Sequence, residues 1–368
     1  MFTKRLKLIV AALLFALPLI SDQTAKSKHL LYVASPGIRN YTEWGGVGVL
    51  VFDIDDNYKL VKRFPTWTYQ PGEKVENVKG FAASAATGKM YVTNNNRMMA
   101  LDIVSGKKLW DKAYEGGCDR MAISPDGKTL YVPQLEGPDW HVVNGATGDV
   151  IATLEPKSGS HNTVWAPDGS RVYLAGLKSP LLRIADPKTN TITSTVGPFA
   201  AGIRPFTVNG SNTLVFVNVN ELLGFEVGDV KTGKKLYRVE VQGYKQGPVK
   251  RHGCPSHGIA LTPDEKELWL ADGANNAIHV FDATVMPPKQ TTTIHLNEFP
   301  GWLSFSMDGR YAYISTGEII DVATKKTVAT LHDETGHLVQ SEKLLDLEIA
   351  NGKVVRAGNQ FGVGQKLK

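Results

Sequence analysis

The chain lacks the motifs that mark several common classes of protein. It has two cysteines in 368 residues, Cys118 and Cys254, so it encodes neither a disulfide-rich scaffold nor a zinc module built on paired CxxC motifs. A GxSxG nucleophile elbow, a P-loop and an HExxH metalloprotease motif are also missing from the sequence. These absences argue against the common serine hydrolases, P-loop nucleotidases and zinc proteases.

Long apolar runs are scarce as well, and the one that exists lies near the start of the chain. Lys4, Arg5 and Lys7 precede the 13 residues 8–20, a pattern typical of a secretory signal and short for a membrane span. We predict a signal peptide over residues 1–21, with an uncleaved anchor as the alternative, and a periplasmic or secreted protein. No other stretch is apolar enough to cross a bilayer, so we expect no membrane span after the leader.

The excess of charge is small once the leader is set aside. The whole sequence has 41 Lys and Arg against 36 Asp and Glu, and three of the basic residues lie in the leader. The remaining 38 basic and 36 acidic residues give a net charge of +2. Such a balance does not indicate nucleic-acid binding. We expect instead a monomer whose partner is a small molecule or another protein.

The sequence does contain a unit that recurs about every 40 residues. Its clearest copy, residues 254–282, has a short apolar run, a Thr-Pro-Asp turn, a β-rich run with Trp269, a second turn and a third run. Further copies read FAASAATGKMYV at 81–92, MAISPDGKTLYV at 121–132, TVWAPDGSRVYL at 163–174, FTVNGSNTLVFV at 206–217 and LSFSMDGRYAYI at 303–314. This period is typical of a four-stranded propeller blade.

Seven such units predict an all-β fold, a seven-bladed β-propeller of four-stranded blades. The first copy, HLLYVAS at 29–35, lacks its opening strand, whereas the strand-like LLDLEIANGKVV at 344–355 follows the seventh unit. We therefore predict that this C-terminal strand completes the first blade and closes the ring. Residues 29–364 would then form one domain.

Three of these patterns carry a family resemblance that covers nearly the whole predicted domain. MYVTNNN at 90–96, SPDGKTLYV at 124–132 and ADGANNAIHVFDAT at 271–284 resemble the bacterial YVTN β-propeller repeat family, which is similar to the lactonase-like propellers. The resemblance implies the propeller fold. It does not imply one activity, because such propellers serve as binders, surface proteins and enzymes.

Candidate binding residues lie just before the opening strand of each blade. The aligned positions are Lys79, Asp119, His161, Ile203, His257 and Gly301, spaced 40, 42, 42, 54 and 44 residues apart, and Arg120, Arg204 and Trp302 follow three of them. Packing alone does not require cations and imidazoles at equivalent places. We predict that Lys79, Arg120, His161, Arg204, His257 and Trp302 bind a small anionic ligand at the channel mouth. The alternative is that these residues cap strands or fill a water-bridged tunnel.

A divalent metal ion is a second hypothesis for the same rim. Cys254 and His257 form a CxxH pair, and Asp119 and His161 come from other blades, so we predict His161, His257, Asp119 and Cys254 as metal ligands. His252 lies nearby in the insertion 242–256, and Glu342 lies in the closing segment. Such a metal would support a lactonase or lyase reaction. A surface or scaffold role is the third hypothesis, and the ligand and any cofactor stay open.

The two cysteines could instead form a disulfide, because an exported protein meets an oxidising compartment. Cys118 opens the third blade and Cys254 precedes the sixth, so the two lie nearly opposite each other on one face of the predicted ring. A disulfide requires Cα atoms within about 7 Å. The pair could therefore form only if the insertion 242–256 folds over the mouth.

Overall fold

The computed structural model describes residues 27–364, in which all regular secondary structure is β-strand. The predicted signal peptide lies outside the described residues. The strands form seven antiparallel sheets, the arrangement of a seven-bladed β-propeller, as the repeats predicted. Among residues 27–364, no helix is long and apolar enough to cross a membrane.

The strands follow the repeats along the chain. The first blade contains β1 (Lys28–Ser35), β2 (Gly48–Asp53) and β3 (Lys59–Phe64). The second contains β4 (Gly80–Ser84), β5 (Lys89–Thr93), β6 (Arg97–Asp102) and β7 (Lys108–Ala113). The third contains β8 (Ala122–Ile123), β9 (Thr129–Pro133), β10 (Trp140–Asn144) and β11 (Val150–Leu154). The fourth contains β12 (Ser160–Trp165), β13 (Val172–Gly176), β14 (Leu182–Asp186) and β15 (Thr191–Val196).

The remaining blades repeat the pattern. The fifth contains β16 (Ile203–Val208), β17 (Leu214–Val219), β18 (Gly224–Asp229) and β19 (Lys234–Glu240). The sixth contains β20 (Ser256–Leu261), β21 (Glu267–Asp272), β22 (Ala277–Asp282) and β23 (Lys289–His295). The seventh contains β24 (Leu303–Phe305), β25 (Tyr311–Ile314), β26 (Glu318–Asp321) and β27 (Lys326–Thr330). The chain ends with β28 (Leu344–Ala350) and β29 (Lys353–Ala357).

Asp102 and Asn144, the last residues of β6 and β10, make the turns that lead to the outer strands of their blades. Asp102 Oδ1 accepts a hydrogen bond of 2.8 Å from the Ser105 amide, and Asn144 Oδ1 accepts one of 2.8 Å from the Ala146 amide. In the third blade, Gly127 of the Pro-Asp-Gly turn has φ 71°, which an L side chain rarely adopts. Turn chemistry therefore joins the strands of each blade.

The ring closes as predicted, with one addition. Strand β28 pairs antiparallel with β1, with Leu347 opposite Leu30, and so supplies the inner strand that the first unit lacks. The predicted single strand 344–355 is in fact two strands, since the chain turns at Asn351 and Gly352 and returns as β29. Strand β29 pairs with β28 on the side that faces the tunnel, so this blade has five strands.

Beyond β29, the chain continues into the central tunnel. Phe361 is 2 % exposed and packs in one apolar cluster with Phe206 and Trp302. The backbone of Gly362 accepts hydrogen bonds from the Leu261 amide (3.0 Å) and the Thr207 hydroxyl (2.9 Å). Residues 358–364, which we call the tail, therefore fill part of the tunnel and separate its two ends.

Candidate functional site

The predicted rim residues lie at the tunnel end where the inner strands begin. Asp119 and Arg120 precede β8, His161 is the second residue of β12, and His257 is the second residue of β20. Each of these side chains is at least nine-tenths buried. Together with His252, Glu342 and Lys343 they form one polar group, which we call the mouth cluster. Repetition brings Asp119, Arg120, His161 and His257 together because each blade places the start of its inner strand on the same ring.

A buried ion-pair network forms the centre of the mouth cluster. Arg120 Nη2 donates to Glu342 Oε2, and Lys343 Nζ lies 2.8 Å from the same oxygen. Lys343 Nζ also donates to the carbonyl of Gly37 at 3.0 Å. Glu342 and Lys343 directly precede β28, so the strand that closes the ring also delivers this carboxylate to the tunnel.

Asp119 and His161 form a second buried pair. His161 Nδ1 donates to Asp119 Oδ2 at 2.7 Å, because an ionised carboxylate can only accept. The proton on Nδ1 leaves Nε2 with a free lone pair, and Nε2 has no hydrogen-bond partner within the described residues. Arg120 Nε and the side-chain amide of Asn162 are unpaired in the same way. These three side chains occupy adjacent positions of blades three and four.

Two histidines, His252 and His257, stack on each other beside Trp302. The rings of His252 and His257 are nearly parallel, with centroids 4.2 Å apart and an interplanar angle of 20°. His257 Nδ1 donates to the carbonyl of Gly301 at 2.8 Å, and a Cβ at Gly301 would lie only 1.9 Å from His252 Nε2. Glycine at 301 is therefore what allows the His252 ring to approach.

The insertion predicted at 242–256 folds over the tunnel end. Its residues 243–255, which we call the cover segment, make no backbone-to-backbone hydrogen bond to any described residue. Side chains hold it instead. Arg251 stacks on Trp44 with its guanidinium carbon 4.6 Å from the ring centroid, and His252 Nδ1 lies 3.3 Å from Glu342 Oε1. Because no backbone ladder joins residues 243–255 to a strand, the segment can open without unpairing a sheet.

Burial and neighbouring charges set the protonation of the mouth cluster. Burial lowers the pKa of His252 to about 4 and lowers the pKa values of His161 and His257, so all three imidazoles are neutral at pH 7. Burial alone would raise the pKa of Glu342, but Lys343 and Arg120 outweigh it and hold that pKa well below its usual range. Burial and the charge of Arg120 lower the pKa of Lys343 to about 7.

The structure divides the residues predicted as metal ligands. Asp119 and His161 pair with each other, whereas His257 joins His252 and Glu342 in a group whose ligand atoms all lie within 4.8 Å of one another. Cys254 does not belong to that group. Its Sγ donates to the Ser256 carbonyl at 2.7 Å, and burial raises the pKa of the thiol to about 12.

The other predicted residues lie around the cluster. Lys79 is half-buried beside Asp119, and Arg204 Nε donates to Asn220 Oδ1 at 2.6 Å beneath the cover segment. Trp302 forms the floor, with the Arg120 guanidinium carbon 4.7 Å from its ring centroid and its own Nε1 donating to the Gln360 carbonyl at 2.6 Å. Both cysteines are free thiols, so the disulfide does not form although the insertion does cover the mouth.

The predicted ligand set omitted three members of the mouth cluster. His252 and Glu342 lie outside the repeat, in the insertion and in the closing segment, and Lys343 follows Glu342. Alignment of the repeats cannot place residues that have no equivalent in other blades. A useful signal was available in the Glu342-Lys343 pair, because two charged residues directly before an apolar closing strand must enter the tunnel end with that strand.

Comparisons with known proteins support the fold. No protein-family model and no curated protein matches the chain. Among solved structures it is similar to Kuenenia stuttgartiensis hydrazine synthase, with a TM-score of 0.56 and 15 % identity, over 79 % of this chain and 90 % of that chain. Identity this low shows a shared fold alone. Membership of the YVTN repeat family stays a prediction.

Proposed function

We propose that this protein binds a small oxyanion, a carboxylate or a phosphate, in the mouth cluster beneath the cover segment. The observation that carries the proposal is the charge balance. Below pH 7, where Lys343 is protonated, Arg120 and Lys343 balance the two carboxylates Asp119 and Glu342, and the imidazoles are neutral. Lys79, half-buried at the edge of the cluster, then adds a net charge of +1, which favours an anion that enters.

Two of the unpaired polar atoms of the cluster support the same ligand. Arg120 Nε and the Asn162 amide nitrogen are donors that an oxyanion can accept from, and an unsatisfied buried donor costs about 1–3 kcal/mol. The atoms are covered in this structure, so a ligand reaches them only when the cover segment opens. The lack of backbone-to-backbone hydrogen bonds between residues 243–255 and the other described residues supports that opening.

A titration of inorganic phosphate and of succinate, followed by calorimetry, tests the proposal. We expect Lys79→Met to weaken binding of the preferred anion about tenfold, because it removes one cation without breaking a pair inside the cluster. Lys62→Met is the matched control, since Lys62 is also half-buried but lies in the outer strand β3 of the first blade. Absence of binding by both anions, or equal effects of the two variants, would contradict the proposal.

The pH dependence of that titration has a defined sign. The bound anion favours protonated Lys343 and raises its pKa above the value of about 7 in the free protein. Affinity is therefore greatest below pH 7 and falls as the pH rises through 7. Calorimetry in two buffers of different ionisation enthalpy should show proton uptake on binding near pH 7.5.

A divalent metal ion is the second candidate ligand, because His252, His257 and Glu342 place three ligand atoms within 4.8 Å. Their neutral imidazoles and ionised carboxylate suit Zn²⁺ or Cu²⁺. Two features argue against a bound metal ion. The nearly parallel rings of His252 and His257 do not direct their nitrogen atoms at one point. Arg120 and Lys343 already neutralise the Glu342 carboxylate. A bound metal would in turn support the lactonase or lyase alternative.

Elemental analysis by plasma mass spectrometry separates the two candidates. We expect the purified protein to hold less than one equivalent of zinc, copper, calcium or manganese, and His252→Ala and a His161→Ala/His257→Ala double variant to hold no less than wild type. A full equivalent in wild type that the His252→Ala variant loses would instead establish the metal and justify an assay with lactones.

The proposal extends to the cellular location of the protein and to its family. The basic start and the apolar run at 8–20 support export to the periplasm or the medium, and the repeat motifs support membership of the YVTN family. A binding protein in either compartment would meet small anions directly. A scaffold role predicts, in contrast, that neither anion binds and that the cluster variants keep all partner interactions.

A further inference from the structure

A cavity of about 750 Å³ lies at the opposite end of the tunnel, away from the mouth cluster. It is bounded by the ends of the inner strands β4, β8 and β12, and residues 357–361 and Val363 form a further wall. Its volume falls in the range of sites for small molecules. The tail fills the neighbouring part of the tunnel, where Gly362 bonds to blades five and six.

The cavity exists because the inner strands of blades two to four end in small residues. Seven of the lining residues are alanines: Ala82, Ala83, Ala85, Ala86, Ala122, Ala166 and Ala357. Phe81, Met121, Trp165 and Phe361 provide larger apolar surfaces. Among the described residues that line the cavity, Asp168 is the only charged one. This end of the tunnel therefore has no cationic side chain in its lining, unlike the mouth cluster.

Three lining side chains carry a polar atom without a hydrogen-bond partner among residues 27–364, and all three atoms can donate. They are Ser84 Oγ, Trp165 Nε1 and Gln360 Nε2, on residues that are 5 %, 6 % and 3 % exposed. The orientation of Gln360 is determined, because its Oε1 accepts the Phe81 amide at 3.0 Å and leaves the NH₂ group free. An indole N–H can only donate.

We propose that this cavity is a second binding site, for a small uncharged molecule with an aromatic or alicyclic body and a carbonyl or ether oxygen. The alanine and aromatic surfaces receive the apolar body, and the three unpaired donors select an acceptor. The absence of cations among the lining residues disfavours an anion. The proposal does not depend on the mouth cluster, since the tail and Trp302 lie between the two sites.

Coumarin and naphthalene form a matched pair of probes, because both are flat bicyclic molecules and only coumarin has acceptor oxygens. We expect ligand-observed saturation-transfer NMR and calorimetry to show coumarin binding with a Kd on the order of 0.1–1 mM. Naphthalene should bind at least fivefold more weakly. Trp165→Phe keeps an aromatic ring but removes the N–H together with the pyrrole part of the indole, so it should weaken coumarin about fivefold more than it weakens naphthalene.

Ala85→Phe tests the location. Ala85 is half-buried on the cavity wall, so the added ring can enter the cavity without replacing a core residue, and coumarin binding should disappear. Ala283→Phe, at a half-buried alanine in a turn outside the cavity, is the control. Equal binding of the two probes, or unchanged coumarin affinity in Ala85→Phe, would overturn the proposal. Phosphate titration of the same variants reports separately on the mouth cluster.

Discussion

Glu342→Ala should lower the free energy of unfolding by about 3–5 kcal/mol, the range found when one partner of a buried ion pair is removed. Glu342 is 4 % exposed and contacts both Arg120 and Lys343. Without the carboxylate, two buried cations would face each other with no counter-charge. Urea denaturation of wild type and variant measures the loss.

The loss should depend on pH with a definite sign. Lys343 already has a pKa lowered to about 7, and removal of Glu342 lowers it further. Above that pKa the amine is neutral and its repulsion with Arg120 disappears. We therefore expect a larger loss at pH 6 than at pH 8.5.

The control for this variant lies on β28, the strand that Glu342 precedes. Glu348 forms only long contacts with His29 (3.8 Å) and Arg356 (3.7 Å) at a partly exposed site, so Glu348→Ala should cost less than about 1 kcal/mol. Phosphate or acetate should restore part of the stability of Glu342→Ala by entering the space of the lost carboxylate. Similar losses in the two variants would show that Glu342 has no special electrostatic role.

Phe361→Ala should lower the free energy of unfolding by about 3–4 kcal/mol, as for other fully buried aromatic residues. Phe361 lies with its ring centroid 5.8 Å from that of Trp302 and packs in the cluster that includes Phe206 and Val363. Its removal leaves a void inside the tunnel that the rigid inner strands cannot fill. The tail should then detach, and hydrogen exchange of the Leu261 amide, which donates to Gly362, should accelerate.

Val355→Ala provides the comparison, because Val355 lies on β29 just before the tail but is 47 % exposed. Its effect should stay within about 0.5 kcal/mol. A small effect of Phe361→Ala, together with unchanged exchange at Leu261, would mean that the tail is held by its backbone hydrogen bonds and not by the buried ring.

The repeat pattern was enough to predict the blades. Copies such as MAISPDGKTLYV show in their own letters an apolar strand, a Pro-Asp-Gly turn and a second strand, and Asp102 and Asn144 make the turns that their side chains favour. The missing strand before residues 29–35 and the surplus strand after the seventh unit together predicted the closure. Strands and turns depend on residues that are close together in the chain, so they can be predicted from the sequence.

The ring positions were predictable for a related reason. Equivalent residues of equivalent blades must lie on one circle, which is why Asp119, His161 and His257 were placed at the same tunnel end from their spacing alone. Their individual partners were not predictable. The pairing of Asp119 with His161, and of His257 with His252, depends on distances of a few ångströms across the tunnel.

The sequence by itself determined the fold class, the number of blades, the closing strand and the tunnel end where charged residues gather. Only the tertiary structure decided that Glu342 neutralises Arg120 and Lys343, that Cys254 stays apart from Cys118, and that the tail divides the tunnel. The physical reason is the range of the interactions. Strands and turns follow from neighbours in the chain, whereas the charge pairs and the contacts of the tail join residues far apart in the chain, 222 positions in the Arg120–Glu342 pair.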